Sequence, residues 1–150
     1  MWQHFTSVNL PVPAVGKLIG GKVQQNIELG MTNPKESFTN ACAIRMSYSL
    51  LRSGVVIAGK GSWKAVSGAD KKLYIYRIHD LLEFLQINFG KPDKVIPNPT
   101  PKQFKGLKGL IVFDVHWENA SGHATLWDGN TCSDHCYFPI ASKASIWLLK

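Results

Sequence analysis

Residues 122–134 read Gly-His-Ala-Thr-Leu-Trp-Asp-Gly-Asn-Thr-Cys-Ser-Asp. Asp-Gly between two segments that can form strands is among the strongest short signals for a β-hairpin. A two-residue turn at Asp128-Gly129 would place His123 directly opposite Asp134. Opposed residues hold their Cβ atoms about 4.5–5.5 Å apart on one face of a sheet. This stretch therefore predicts an antiparallel pairing that brings an imidazole to a carboxylate.

A second informative segment begins at Asn40, from which apolar residues recur at helical spacing until Ser53-Gly54 supplies a stop. This pattern predicts a helix with Cys42 in its first turn. A helix N-terminus and a neighbouring protonated His both stabilise a thiolate over a thiol. Asn40 suits the helix cap, which we favour over a role as an oxyanion donor.

Together, Cys42, His123 and Asp134 match the residue types of a cysteine-nucleophile triad. Each has a structural alternative, since a lone cysteine is often a small buried apolar residue and a His–Asp pair is often a satisfied polar contact. We favour an amide hydrolase in which Cys42 attacks, His123 is the general base and Asp134 orients the imidazole. An acyl or amide transferase with the same triad is an alternative.

Three cysteines suggest, in an oxidising setting, one pair and one free thiol, and Cys132 and Cys136 are the natural pair. Such a bridge conflicts with an extended strand there, because its Cα atoms must lie within roughly 7 Å. The alternative is a zinc-stapled basic binding module, with Cys132, His135, Cys136 and His123 as ligands. That alternative lacks a second ligand cluster, so we expect no metal and no cofactor.

The order of elements favours an α+β fold. The Gly- and Pro-rich first forty residues read as loops around at most one short helix near Val15 to Ile19. A second helix passes through 79–85 and ends at Gly90, and a Pro-rich connector follows from Lys91 to Pro101. Buried-strand runs then appear at 109–115 and 145–149. Helices that precede strands predict an antiparallel sheet in one domain over residues 1–150.

The composition bounds the function. Seventeen basic and ten acidic residues give a net charge of +7, which favours an anionic partner: nucleic acid, an acidic membrane surface or an acidic cell-wall polymer. The basic residues are scattered, so we do not expect nucleic-acid binding. No apolar run reaches the roughly 20 residues of a membrane helix, and the N-terminus lacks signal-peptide features, so we expect neither membrane insertion nor general secretion.

Four motifs in order give the chain a family resemblance. It resembles the fourth family of type VI secretion amidase effectors, through Asn40-Ala41-Cys42-Ala43-Ile44-Arg45-Met46-Ser47, Val66-Ser67-Gly68-Ala69-Asp70, Gly122-His123-Ala124-Thr125-Leu126-Trp127-Asp128-Gly129 and Cys132-Ser133-Asp134-His135-Cys136. The similarity extends from the Gly20-Gly21 region to Trp147-Leu148.

The resemblance implies a papain-like fold of the cell-wall-hydrolase type, with N-terminal helices packed on an antiparallel sheet. It implies a toxin that the type VI machinery injects into rival Gram-negative bacteria, where it cleaves peptidoglycan stems in the periplasm. The expected bond is the amide between the γ-carboxyl of D-glutamate and meso-diaminopimelate. The resemblance assigns nucleophile, base and acid to Cys42, His123 and Asp134, and the family's disulfide to Cys132 and Cys136.

The resemblance also implies an immunity protein that blocks the active site. For the substrate groove, the candidates are Trp117, Ser121 and Gly122, because they lie beside His123 in the sequence. Trp is more often a core residue, so this set depends on position alone.

Overall fold

Two antiparallel sheets and a set of α-helices make up the computed structural model, which describes residues 2–32, 42–57, 65–115, 122–133 and 136–148. Within these residues the helices are α1 (Trp2–Val8), α2 (Val12–Ile19), α3 (Gly21–Thr32), α4 (Cys42–Arg52) and α5 (Ile78–Phe89), with a 3₁₀ turn at Pro101–Phe104. The strands are β1 (Ala65–Ser67), β2 (Leu73–Ile75), β3 (Lys94–Pro97), β4 (Gly109–Asp114), β5 (Gly122–Trp127) and β6 (Lys143–Leu148). The α+β prediction is confirmed.

The N-terminal segment corrects the prediction of loops around one short helix, because it forms α1, α2 and α3. Pro11 and Pro13 lie at the start of α2, where a missing N–H costs no hydrogen bond. Gly20 and Gly21 adopt positive φ values of 71° and 61° and form the corner between α2 and α3. These prolines and glycines therefore mark the ends of helices, although their abundance in this segment predicts a loop.

The larger sheet has the strand order β3-β6-β4-β5, with each neighbouring pair antiparallel. Strands β4 and β6 and helices α4 and α5 lie where the sequence predicted them, within two residues. Strand β3 corrects the Lys91 to Pro101 connector, since Lys94–Pro97 pairs with β6. A β1–β2 ribbon between α4 and α5 was also not predicted, so strands do not all follow helices.

Side chains on the larger sheet alternate between two buried clusters, as the period of a β-strand requires. One face meets the helices and carries Leu110, Val112, Ala124, Leu126 and Trp147. The other face carries Ile111, Phe113, Trp127, Ala144 and Ile146 and packs on Phe104 and Phe138. The sheet thus forms a layer between the helices and an aromatic cluster.

Arg52 and Asp70 connect the end of α4 to the β1–β2 turn. Asp70 Oδ2 accepts a hydrogen bond from Tyr74 Oη at 2.8 Å and lies 3.4 Å from the Arg52 guanidinium. Burial alone would raise the pKa of Asp70, but these hydrogen bonds and one from the Lys72 N–H hold it below its ordinary value. This network lies at the opposite end of α4 from Cys42.

No described helix is both long and apolar enough to cross a membrane.

Candidate active site

Cys42 is the first residue of α4, as the periodicity from Asn40 predicted. Its side chain is buried, and its thiol Sγ lies 3.8 Å from the backbone carbonyl oxygen of Gly122. The first N–H groups of a helix have no partner within the helix and carry its positive dipole end. The thiol therefore lies at a helix end that favours negative charge, directly against the start of β5.

His123 follows Gly122 on β5 and is 5 % exposed. Its backbone pairs with Phe113 of β4. Its ring contacts the ring of Tyr137 edge to face, with centroids 4.8 Å apart and planes inclined at 67°. His123 is therefore the next residue after Gly122, whose carbonyl oxygen faces the Cys42 thiol, and Tyr137 packs on the His123 ring.

The turn after β5 corrects the predicted hairpin register. A two-residue turn would have paired Trp127 with Asn130, but Trp127 instead forms its bridge with Cys132. The Asp128 N–H donates to Thr131 O at 3.1 Å, and Asp128 Oδ1 accepts the N–H groups of Asn130 and Thr131. These bonds, the one from Thr131 foremost, hold the pKa of Asp128 below its ordinary value. The side chain of Asp128 has thus widened the turn by two residues.

A disulfide joins Cys132 and Cys136, whose Cα atoms lie 5.5 Å apart. This is the pairing that the family resemblance implied, and it requires the chain to turn within the bridged loop. Both sulfurs are used in the bond, so this structure does not support the zinc alternative, which needs both as thiolate ligands. Tyr137 follows directly, so the bridge holds the residue that packs on His123.

Removing this bridge is expected to destabilise the fold. A Cys132→Ser/Cys136→Ser variant should lose about 2 kcal/mol of unfolding free energy, because the unfolded chain regains the entropy of a short closed loop. Urea unfolding in non-reducing buffer measures the difference. Added reductant should lower the stability of the wild type to that of the variant and leave the variant unchanged. Equal stability of both proteins without reductant would contradict the prediction.

The connection between α1 and α2 braces the site from the N-terminal side. Arg45 of α4 donates to Leu10 O at 2.7 Å, and Asn9 Nδ2 donates to Ser133 O at 3.4 Å. These bonds join the Cys42 helix to the disulfide loop through the short connection between α1 and α2.

Several predicted site residues lie outside the described residues: Asn40, Trp117, Ser121, Asp134 and His135. Their proposed roles remain predictions. The structure places the Cys42 thiol against Gly122, the residue before His123. It also packs the His123 ring on Tyr137, which follows the Cys132–Cys136 disulfide.

Sequence reasoning missed two contacts at the candidate site, that of Tyr137 with His123 and that of Ile78 with Gly122. The signal for Tyr137 was its position directly after a bridged cysteine. The contact of Ile78 carried no comparable signal, because only the tertiary fold brings Ile78 to Gly122, where an added Cβ would lie 3.2 Å from Ile78 Cγ2.

Helices packed on antiparallel sheets, with a buried cysteine at a helix N-terminus beside a histidine-bearing strand, define a papain-like amidase fold. Residues 38–149 match the family described as type VI secretion system amidase effector protein 4, Tae4. The chain belongs to this family and is an amidase effector, an enzyme that acts on peptidoglycan.

Solved structures of Tae4 proteins agree over almost the whole chain. The Tae4 of a Tae4–Tai4 effector–immunity complex from Enterobacter cloacae is 45 % identical, with a TM-score of 0.91, and the match covers 99 % of this chain and 95 % of that one. The corresponding complex from Salmonella Typhimurium gives 44 % identity, a TM-score of 0.90 and the same coverage. Tae4 alone from Enterobacter cloacae is 45 % identical, with a TM-score of 0.90, and the match covers 99 % of this chain and 93 % of that one. No curated protein sequence matches the chain significantly.

Proposed function

We propose that this effector hydrolyses the amide between the γ-carboxyl of D-glutamate and meso-diaminopimelate in peptidoglycan stems, with residues 1–150 acting as one domain. The observation that carries the chemistry is the Cys42 thiol at a helix N-terminus, 3.8 Å from the carbonyl oxygen of Gly122, the residue before His123. Membership of an amidase effector family supports hydrolysis of an amide. The specific bond follows from the family resemblance.

In the proposed mechanism, His123 takes the proton of Cys42 and the thiolate attacks the scissile carbonyl carbon. The C–N bond then breaks as the imidazolium gives its proton to the leaving amine of diaminopimelate. Water, deprotonated by His123, attacks the thioester and releases the γ-carboxylate of D-glutamate. Cys42 is regenerated, so each cycle consumes one water and needs no cofactor.

The oxyanion formed at each attack needs hydrogen-bond donors. The backbone N–H of Cys42 is the first candidate, because a helix N-terminus leaves its first N–H groups without partners inside the helix. Asp134 is proposed to accept a hydrogen bond from His123 and so fix its tautomer. Trp117, Ser121 and Gly122 are the proposed groove residues, and Asn40 the proposed helix cap.

Secretion and control follow the family. We propose that the type VI machinery delivers this chain to the periplasm of a rival Gram-negative cell, an oxidising compartment in which the Cys132–Cys136 disulfide is stable. Tae4 relatives crystallise as complexes with the immunity protein Tai4. We propose that a cognate immunity protein likewise blocks the site of this effector.

Digestion of purified Gram-negative sacculi tests the bond. Mass spectrometry should detect fragments with a free γ-carboxyl on D-glutamate and others with a free amine on diaminopimelate. Cleavage at another amide by the folded protein would overturn the proposed bond. Added glycine amide separates hydrolysis from transfer, since a transferase would attach that amine to the glutamyl product.

A further inference from the structure

The connection between β2 and α5 is held against the catalytic elements at both of its ends. At one end, Ser47 Oγ of α4 accepts the Ile75 N–H at 3.0 Å and lies 3.2 Å from Ile75 O. At the other end, Ile78 packs on Gly122, the residue whose carbonyl faces the Cys42 thiol. Only Tyr76 and Arg77 lie between these two anchors, so Arg77 directly precedes the residue that packs on Gly122.

Arg77 is itself held by a buried carboxylate. Its Nε donates to Asp80 Oδ2 at 2.7 Å, and Asp80 is 1 % exposed, whereas the Arg77 side chain is 46 % exposed. This hydrogen bond, foremost, holds the pKa of Arg77 above its ordinary value. Because Nε–H is one of five donors in the guanidinium fork, a second carboxylate can bind without breaking the first pair.

The charges beside Arg77 favour the same ligand. His79 Nε2 lies 3.8 Å from Asp80 Oδ1, and the His79 side chain is 73 % exposed. The buried Asp80 carboxylate thus contacts two exposed side chains: Arg77, which is positively charged, and His79, which is positively charged when protonated. Burial of Asp80 requires compensation, and Arg77 supplies it with a guanidinium that remains open to solvent.

We infer that Arg77, oriented by Asp80, binds a free carboxylate of the peptide stem and so selects stems in which that carboxylate is free. The inference rests on the proposed function. A γ-linked D-glutamate keeps its α-carboxylate free beside the scissile amide, and diaminopimelate offers a second free carboxylate at its D-centre. Planar, bidentate recognition of carboxylate is the role for which arginine is best suited.

Three synthetic tripeptides test the inference: L-alanyl-γ-D-glutamyl-diaminopimelate, and the same peptide with an amide in place of either the α-carboxylate of D-glutamate or the D-centre carboxylate of diaminopimelate. The L-centre carboxylate of diaminopimelate stays free in all three. The wild type should lose about 10- to 100-fold in kcat/KM on one of the two amides, as expected for a hydrogen bond to a charged group. The amide that causes the loss identifies which carboxylate is bound. In Arg77→Gln, the ratio of kcat/KM for the unmodified tripeptide to kcat/KM for that amide should fall to about 1.

The matched control is Arg52→Gln, which removes the same charge about 15 Å along α4 from Cys42, given 1.5 Å per residue. It should keep the wild-type ratio. Because Arg77→Gln leaves Asp80 buried without its partner, an Arg77→Gln/Asp80→Asn variant serves as the better folded form and should show the same ratio of about 1.

Two outcomes would overturn the inference alone: a wild type that cleaves all three peptides equally, or Arg77 variants that lose activity while keeping the wild-type ratio. The second would mean that Arg77 only neutralises Asp80. A folded wild type that cleaves none of the peptides or the sacculi would overturn the proposed function, and the inference with it.

Discussion

Cys42→Ala and His123→Ala should each lower kcat/KM on the unmodified tripeptide by at least about 10⁴-fold, and the double variant should lose little more. Without the sulfur no thioester can form, and without the imidazole nothing takes the thiol proton or supplies one to the leaving amine. In the proposed mechanism the two residues act as one unit, so the effects of the two substitutions should not add. Steady-state kinetics on the purified variants measures all three losses.

Ser49→Ala is the matched control, because Ser49 is a buried residue of the same helix whose hydroxyl bonds only to Arg45 O among the contacts described. It should retain wild-type kcat/KM. Circular dichroism and melting temperature establish that each variant is folded. A folded Cys42→Ala protein that still cleaves the tripeptide would sink the assignment of the nucleophile.

Gly122→Ala should lower kcat/KM by about 10²-fold, since a misplacement of about 1 Å at a catalytic site can cost that much. A Cβ at Gly122 would lie 2.5 Å from the carbonyl oxygen of Phe113 and 3.2 Å from Ile78 Cγ2. The backbone of β5 must therefore shift, and it carries both His123 and the carbonyl that faces Cys42. We also expect a loss of about 1–3 kcal/mol in unfolding free energy from overpacking.

Gly16→Ala provides the comparison for this substitution. Its added Cβ would meet its nearest atoms in Gln24 and Ile27 at 3.4 Å, inside a regular helix. It should leave kcat/KM unchanged and preserve stability, because alanine is the better helix former. A Gly122→Ala protein as active as Gly16→Ala would show that the close approach of β5 to Phe113 does not position the site.

The spacing of apolar residues predicted those helices and strands whose conformation depends mainly on residues close by in the sequence. Helix α4 follows from apolar spacing after Asn40, and α5 from the same periodicity up to Gly90. Strand β4 follows from an apolar run. Helices α1 and α3 were missed, whereas the short helix predicted near Val15 to Ile19 lies within α2. Proline and glycine at helix ends give a segment the composition of a loop, and only their positions relative to the helix ends distinguish the two.

The register of the predicted hairpin at Asp128-Gly129 was wrong, because Trp127 pairs with Cys132. Asp-Gly indicated the turn after β5, but the Asp128 side chain accepts two backbone N–H groups and the disulfide bends the return chain. Both effects depend on side-chain geometry that a two-residue turn rule does not contain. The pairing of His123 with a particular partner on that chain therefore could not be read from the register.

The sequence by itself indicated the candidate residues for the chemistry, because a lone cysteine at a helix start, a strand histidine and two cysteines four residues apart are local features. Only the tertiary structure decided their partners. Cys42 meets Gly122 across 80 residues of sequence, and Ile78 of α5 packs on the same glycine. Such contacts depend on how α4, α5 and β5 pack together, which is a property of the whole buried core and not of any one segment.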